Sequence, residues 1–213
     1  MKKLTTLIII LTFTLIGNQQ SHAQLFSIGA GGGLSQVLGP EGYTNSTSEG
    51  GAEYSSEINI GVMAKLGLPL LPITPRALLL YHNFSGSGDQ PILGKSSAIN
   101  NTIDYSQSVV TAGLGVQYQF IPVPAGFDPY LALDLLYNNF GKTEIKTDAG
   151  TTNGETFSRF GLGLGIGSTI SIIPVVNLEV LASYQMLNLT GKEDGEETVS
   201  VLVLDAFIMF SFL

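Results

Sequence analysis

From Val110 to Phe120 every second residue is apolar, with Val110, Ala112, Leu114, Val116, Tyr118 and Phe120 set against Thr111, Gly113, Gly115, Gln117 and Gln119. A period of two puts the two sets on opposite faces of a β-strand. The same alternation runs through Ile58–Leu68, Phe160–Ile170 and Val176–Met186, and less regularly through Phe26–Leu34, Leu131–Tyr137 and Val199–Phe212. In Phe160–Ile170 the second face is almost entirely glycine: Gly161, Gly163, Gly165 and Gly167. Arg76–Phe84 completes a set of eight. There Leu79 and Tyr81 compete with Leu78, Leu80 and Phe84 for the apolar face, so its facing stays open, with a bulge as one resolution.

These strands belong in a membrane. Charged residues make up 12% of the chain, about half the roughly 25% of soluble domains. Yet beyond residue 23 no apolar run reaches the ~18 residues of a spanning helix; the most apolar region, Leu66–Tyr81, is cut by Pro69, Pro72 and Pro75. Only helices and closed barrels satisfy every backbone N–H and C=O in hydrocarbon, which leaves the barrel. A soluble eight-stranded barrel of the lipocalin type would turn the polar frame to water. That frame would then carry many Lys and Glu, whereas here it is Gly, Ser, Thr, Asn and Gln, a composition suited to a crowded lumen.

The amino terminus reads Met1-Lys2-Lys3, an apolar stretch Leu7–Ile16, then Ser21-His22-Ala23. This is the pattern of a cleavable secretory signal occupying residues 1–23, with the barrel domain over 24–213. The chain has no cysteine, so disulfides, zinc-thiolate sites and a lipid-anchored cysteine are excluded. After residue 23 there are 7 basic and 17 acidic residues, a net −10, which argues against nucleic acid as a partner.

Links between the segments alternate in kind. Short, apolar ones hold Pro69, Pro72, Pro75, Pro122, Pro124, Pro129 and Pro174; long ones are rich in Gly, Ser, Thr, Asn and charge. Short periplasmic turns and longer outer loops are the pattern of transmembrane barrels, and an even strand number puts both ends on the periplasmic side. Most charges fall in the long links. Arg76 and Asp128 border short turns, and five others, Lys65, Asp134, Arg159, Glu179 and Asp205, fall in the polar frame of their strands. These five are expected to form a structural polar network in the lumen, with Arg159 reaching a carboxylate such as Asp134 or Asp205. Two aromatic girdles are expected at the membrane interfaces, Tyr118, Phe120, Phe127, Tyr130, Phe210 and Phe212 below, and Phe84, Tyr137, Phe140, Phe157 and Phe160 above.

The eight alternating segments, the run Phe157–Gly167 and the closing Phe207-Ile208-Met209-Phe210-Ser211-Phe212-Leu213 together resemble the outer-membrane β-barrel domain families of the OmpA, OmpX and porin-like type. The resemblance implies an all-β, eight-stranded antiparallel up-and-down barrel in the bacterial outer membrane. Its partners would be membrane lipid and lipopolysaccharide, the insertion machinery that reads the carboxy-terminal strand, and any ligand met by the outer loops, with the protein a monomer. Families of this kind include adhesins, structural anchors, narrow channels and a few lipid enzymes.

Chemical motifs are sparse. Beyond residue 23 the one histidine is His82, near the outer end of the third segment, where a lipid-modifying enzyme would need a nucleophile and base; no carboxylate neighbours it in sequence, and no catalytic residue is assigned. Gly29–Gly33 and Gly161–Gly167 fail G-x-G-x-x-G at its third glycine and open no helix, so no nucleotide cofactor is expected. The cluster Glu193, Asp194, Glu196 and Glu197 lacks EF-hand spacing and reads as a solvated loop. The sequence therefore points to a non-enzymatic barrel of structural or surface-interaction role, with a narrow porin-like solute channel as the first alternative, a lipid-modifying enzyme using His82 as the second, and no cofactor or metal.

Overall fold

The computed structural model describes residues 26–68, 71–91, 100–120 and 127–212. The expected signal segment 1–23 lies outside them, as do Pro69, Pro122 and Pro124. The chain forms β1 (Phe26–Gly39), a short helix α1 (Glu41–Thr44), a 3-10 turn (Thr47–Glu49), β2 (Glu57–Leu66), β3 (Ile73–Pro91), β4 (Asn100–Gln119), β5 (Phe127–Phe140), β6 (Glu144–Thr147), β7 (Gly150–Asn153), β8 (Phe157–Ile173), β9 (Val176–Thr190) and β10 (Ser200–Phe212). Eight of these strands are long, and each pairs antiparallel with its neighbours along the chain. The pairing of β1 with β10, from Phe26↔Phe212 to Val37↔Val201, joins the two ends into a closed ring. Closure leaves no sheet edge within the ring, as a barrel in lipid requires.

β6 and β7 are a departure from the eight expected segments. β3 and β4 are 19 and 20 residues long, about twice the 9–11 that a membrane crossing needs. Their register is unbroken from Ile73↔Tyr118 to Pro91↔Asn100. β2 pairs with β3 only as far as Asn59↔His82, and β5 leaves β4 at Val109↔Phe140, so the hairpin rises past its neighbours with both edges open. The β6–β7 hairpin fills one edge through Asp104↔Lys146, Tyr105↔Ile145 and Ser106↔Glu144. On the other edge Ser55 donates its N–H to the Ser85 carbonyl at 3.0 Å. Part of what reads in sequence as loop is therefore a polar sheet standing above the barrel, its base covered on both sides and β7 forming its outer edge.

Burial alternates along β5 and β10 with a period of two. Leu131, Leu133, Leu135 and Tyr137 point outward from β5, and Leu202, Leu204, Ile208 and Phe210 from β10, all exposed to the surroundings of the barrel. In β3, Leu79 and Tyr81 face out while Leu78, Leu80, His82 and Phe84 face in. Both pairings of β3 run without a register shift, which settles the facing left open by the sequence without a bulge. The girdle expectation needs correction at four aromatics. Phe84, Tyr130, Phe140 and Phe157 fall in the inward phase, the first three buried and Phe157 stacked on Phe140, while Tyr81, Tyr137 and Phe160 hold the outward positions near the loop end. Aromatic enrichment alone does not distinguish the two faces; parity does.

Two apolar clusters fill the interior. Met63, Leu78, Leu80, Tyr130, Leu181, Phe207 and Met209 pack in one. The other joins Val37, Phe84, Val109, Phe140, Leu187 and Val201 to Ala52 and Tyr54 of the β1–β2 link. Two glycines create the necessary space: a Cβ at Gly167 would overlap the Tyr130 ring, and one at Gly115 would overlap the Asp134 carboxylate.

Candidate functional site

The lumen holds the buried charge of this chain. Arg76 and Asp134 pair there, Arg76 Nε donating to Asp134 Oδ1 at 2.8 Å and Nη2 to Oδ2 at 2.5 Å. Both side chains are essentially sealed from solvent. Lys65 pairs with Glu179, whose carboxylate also accepts Gln117 Nε2 at 2.7 Å and Thr169 Oγ1 at 2.8 Å. The two ion pairs thus draw on β2, β3, β5 and β9, and Gln117 and Thr169 add β4 and β8. A buried carboxylate tolerates such a position only when its lone pairs are met, and Glu179 has three donors.

The structure brings Lys65, Asp134, Glu179 and Asp205 into the lumen but not into one network. Asp205 is buried opposite Gly33 and Leu181 and makes no ion pair among the described residues. Arg159 is the clearest correction. Instead of reaching Asp134 or Asp205, it lies at the mouth, where Nη2 donates to Glu196 Oε2 at 2.7 Å and approaches Glu193 at 3.5 Å. Its guanidinium also sits 4.6 Å from the centre of the Phe157 ring. Arg159 is the third residue of β8, so the nearest carboxylates are those of the β9–β10 loop folding back, not those deep in the barrel. Arg76, which the prolines beside it make look like a turn residue, is the cation that Asp134 uses.

The mouth is covered. Tyr54 packs edge-on against Tyr43 at 5.2 Å and tilted against Phe84 at 6.1 Å, and Tyr43 donates its hydroxyl to Gln107 at 3.3 Å. Burial pushes the Tyr54 hydroxyl well above the usual tyrosine range, with Tyr43 and Tyr105 adding to it. Opposite, Phe140 and Phe157 stack at 4.7 Å. Asn188 ties the β9–β10 loop down, donating to Glu196 Oε1 at 2.7 Å and to the Glu197 carbonyl at 2.8 Å, and accepting Val199 N–H at 2.6 Å. Arg159 holds the Glu196 carboxyl far below its ordinary value, at about 2, with Asn188 and the Glu193 amide adding to that effect. The four acidic residues of this loop therefore include one committed to internal contacts, and among the described residues no group of three or more His, Cys, Asp or Glu converges on a metal position.

His82 points into the lumen, buried, with Nδ1 2.8 Å from Ser35 Oγ and its ring stacked near Phe84 at 5.8 Å. Ser35 also accepts Asn59 Nδ2 at 2.9 Å. This serine–histidine contact is enclosed by the strands, away from the face where membrane lipid would meet it.

A closed ring of eight antiparallel strands, apolar outside and packed with side chains inside, is an outer-membrane-type β-barrel. No family model matches the chain, and no curated protein does. Solved structures share its fold. A major outer membrane protein of Thermus thermophilus aligns with a TM-score of 0.56 at 17% identity, over 88% of this chain and 98% of that one. OprG of Pseudomonas aeruginosa aligns with a TM-score of 0.52 at 14% identity, over 92% and 99%.

Proposed function

We propose that this protein is a closed outer-membrane barrel of structural or surface-interaction role, with no catalytic residue, whose partners meet the outer loops and the sheet above them. The observation that carries the reading is the filled lumen. Two buried ion pairs cross it, two apolar clusters pack around them, and Tyr43, Ala52 and Tyr54 lie over its outer end. An eight-stranded cylinder is just wide enough for its side chains to fill. Lipid and lipopolysaccharide would surround the apolar wall, the insertion machinery would engage β10 during assembly, and the protein would act as a monomer because apolar residues on β5 and β10 alike face lipid.

A narrow channel is the second reading, favoured by inward polar atoms that lack a hydrogen-bond partner: Arg76 Nη1, His82 Nε2 and Asp205 Oδ1. Planar-bilayer recording of the purified barrel separates the two. Silence is expected; reproducible single-channel steps, enlarged when Tyr54 is replaced by Ala, would establish the channel instead.

A further inference from the structure

The short-turn end of the barrel carries apolar surface that the filled lumen does not account for. At the end of β8 Ile172 and Ile173 are 56% and 53% exposed, Val175 in the turn that follows is 53% exposed, and Leu71 beside β3 is 53% exposed. Turns are normally polar. Ile172 sits at a bulge, where the register passes from Ser171↔Asn177 to Ile173↔Val176, so alternation is broken at the end of β8 and two consecutive apolar side chains are left exposed. Asp128, the charged residue of this end nearest the rim among those described, falls in the inward phase of β5.

The strand length gives the depth. Near the loop end the apolar wall stops sharply: above Tyr137 and Phe160, Asn139 and Tyr137 both donate to Ser158 Oγ, at 2.9 and 3.0 Å. From Leu162, the first residue of the outward phase of β8 below the Phe160 girdle, to Ile172 is ten steps, about 33 Å along a strand at ~3.3 Å each, or about 25 Å of height at a tilt of ~40°. The apolar band of such barrels is about 25 Å tall. That height is used up at Ile172, so Ile173 and Val175 fall at or beyond the lower edge of the band, the depth at which amphipathic surfaces rest in the headgroup–acyl boundary.

We infer that the β8–β9 turn is a membrane contact, seated in the inner-leaflet interface against phospholipid instead of projecting into the periplasm. This rests on the membrane-barrel reading above and continues its lipid-facing wall below the expected boundary. Because the chain has no cysteine, single cysteines report cleanly. Val175→Cys, Leu164→Cys in the wall and Asp194→Cys in an outer loop are each labelled with a bimane fluorophore in phospholipid nanodiscs. They are then quenched with iodide or with lipids brominated high or deep on the acyl chain. Leu164 should respond to deep bromine and Asp194 to iodide alone. Val175 should respond to shallow bromine, with iodide quenching severalfold weaker than at Asp194. Iodide quenching equal to that of Asp194 would overturn the inference, and so would shielding from both quenchers, which would mean that protein covers the turn. Failure of bromine at Leu164 would instead overturn the membrane reading itself.

Discussion

Arg76 and Asp134 meet across Gly115, the residue of β4 that stands in register with both. The glycine lets two charged side chains pass over the strand between them. Removing either partner leaves the other charge buried and unmatched, at a cost of about 3–5 kcal/mol. Arg76→Met and Asp134→Leu should each destabilise the barrel by about that amount, while the double variant should lose far less than their sum. Gly115→Val should act like the single variants because its side chain displaces the carboxylate. Reversible urea unfolding in lipid vesicles, treated as a double-mutant cycle, gives the coupling; additive losses would show that the pair is not an energetic unit.

The outward wall makes the opposite demand on charge. Leu133 is exposed and in register with Val116 and Leu164, near the middle of the apolar band. Leu133→Arg should cost about 2–4 kcal/mol by the same unfolding measurement. Asn153→Arg, on β7 above the membrane, should stay within about 0.5 kcal/mol, because that residue is exposed and polar already. Equal effects at the two positions would contradict a lipid-facing Leu133.

Parity made most of this barrel legible. Where apolar and small residues alternate strictly, as in Val110–Phe120 and Phe160–Ile170, strand position and facing were both readable, because a one-residue slip would turn every apolar side chain into the lumen. Arg76–Phe84 failed that test: Leu78, Leu79, Leu80 and Tyr81 satisfy either phase, and the deciding partners, Asp134 for Arg76 and Ser35 for His82, are distant in sequence. The β6–β7 hairpin carries a local signal, β-branched Ile145, Thr147, Thr151 and Thr152 around Asp148-Ala149-Gly150. Its strands are too short to cross a membrane, so the long alternation that marks the spanning strands is absent from them. Inward position was predictable for Lys65 and Glu179, but the choice of partner was not, since β-sheet tilt brings together residues from strands that are not adjacent in the chain.

The covering of the mouth depends on Tyr54. Its ring joins Tyr43 to Phe84, and the amides of Ala52 and Tyr54 are held by the carbonyls of Gly42 and Tyr43, both at 2.9 Å. Tyr54→Ala should speed hydrogen exchange across residues 42–54 while leaving the β8, β9 and β10 amides protected, since closure of the ring does not involve that link. Uniform loss of protection would mean that the cover and the barrel unfold together.

Glu196 gives the mouth a defined pH response. Arg159 lowers its carboxyl from the ordinary 4.5 to about 2, so the folded loop binds this proton less readily than the unfolded chain does. The resulting stabilisation is complete above about pH 4.5, declines below it and is gone once the pH falls beneath about 2. Glu196 remains partly open to solvent, so added salt should shrink the shift. Arg159→Met should return the Glu196 midpoint toward 4.5 and release the β9–β10 loop in the ordinary carboxylate range. Carbon-13 titration of the Glu196 carboxyl in both proteins measures this directly. An unchanged midpoint in the variant would assign the shift to Asn188 and the Glu193 amide, the other donors that the carboxylate accepts.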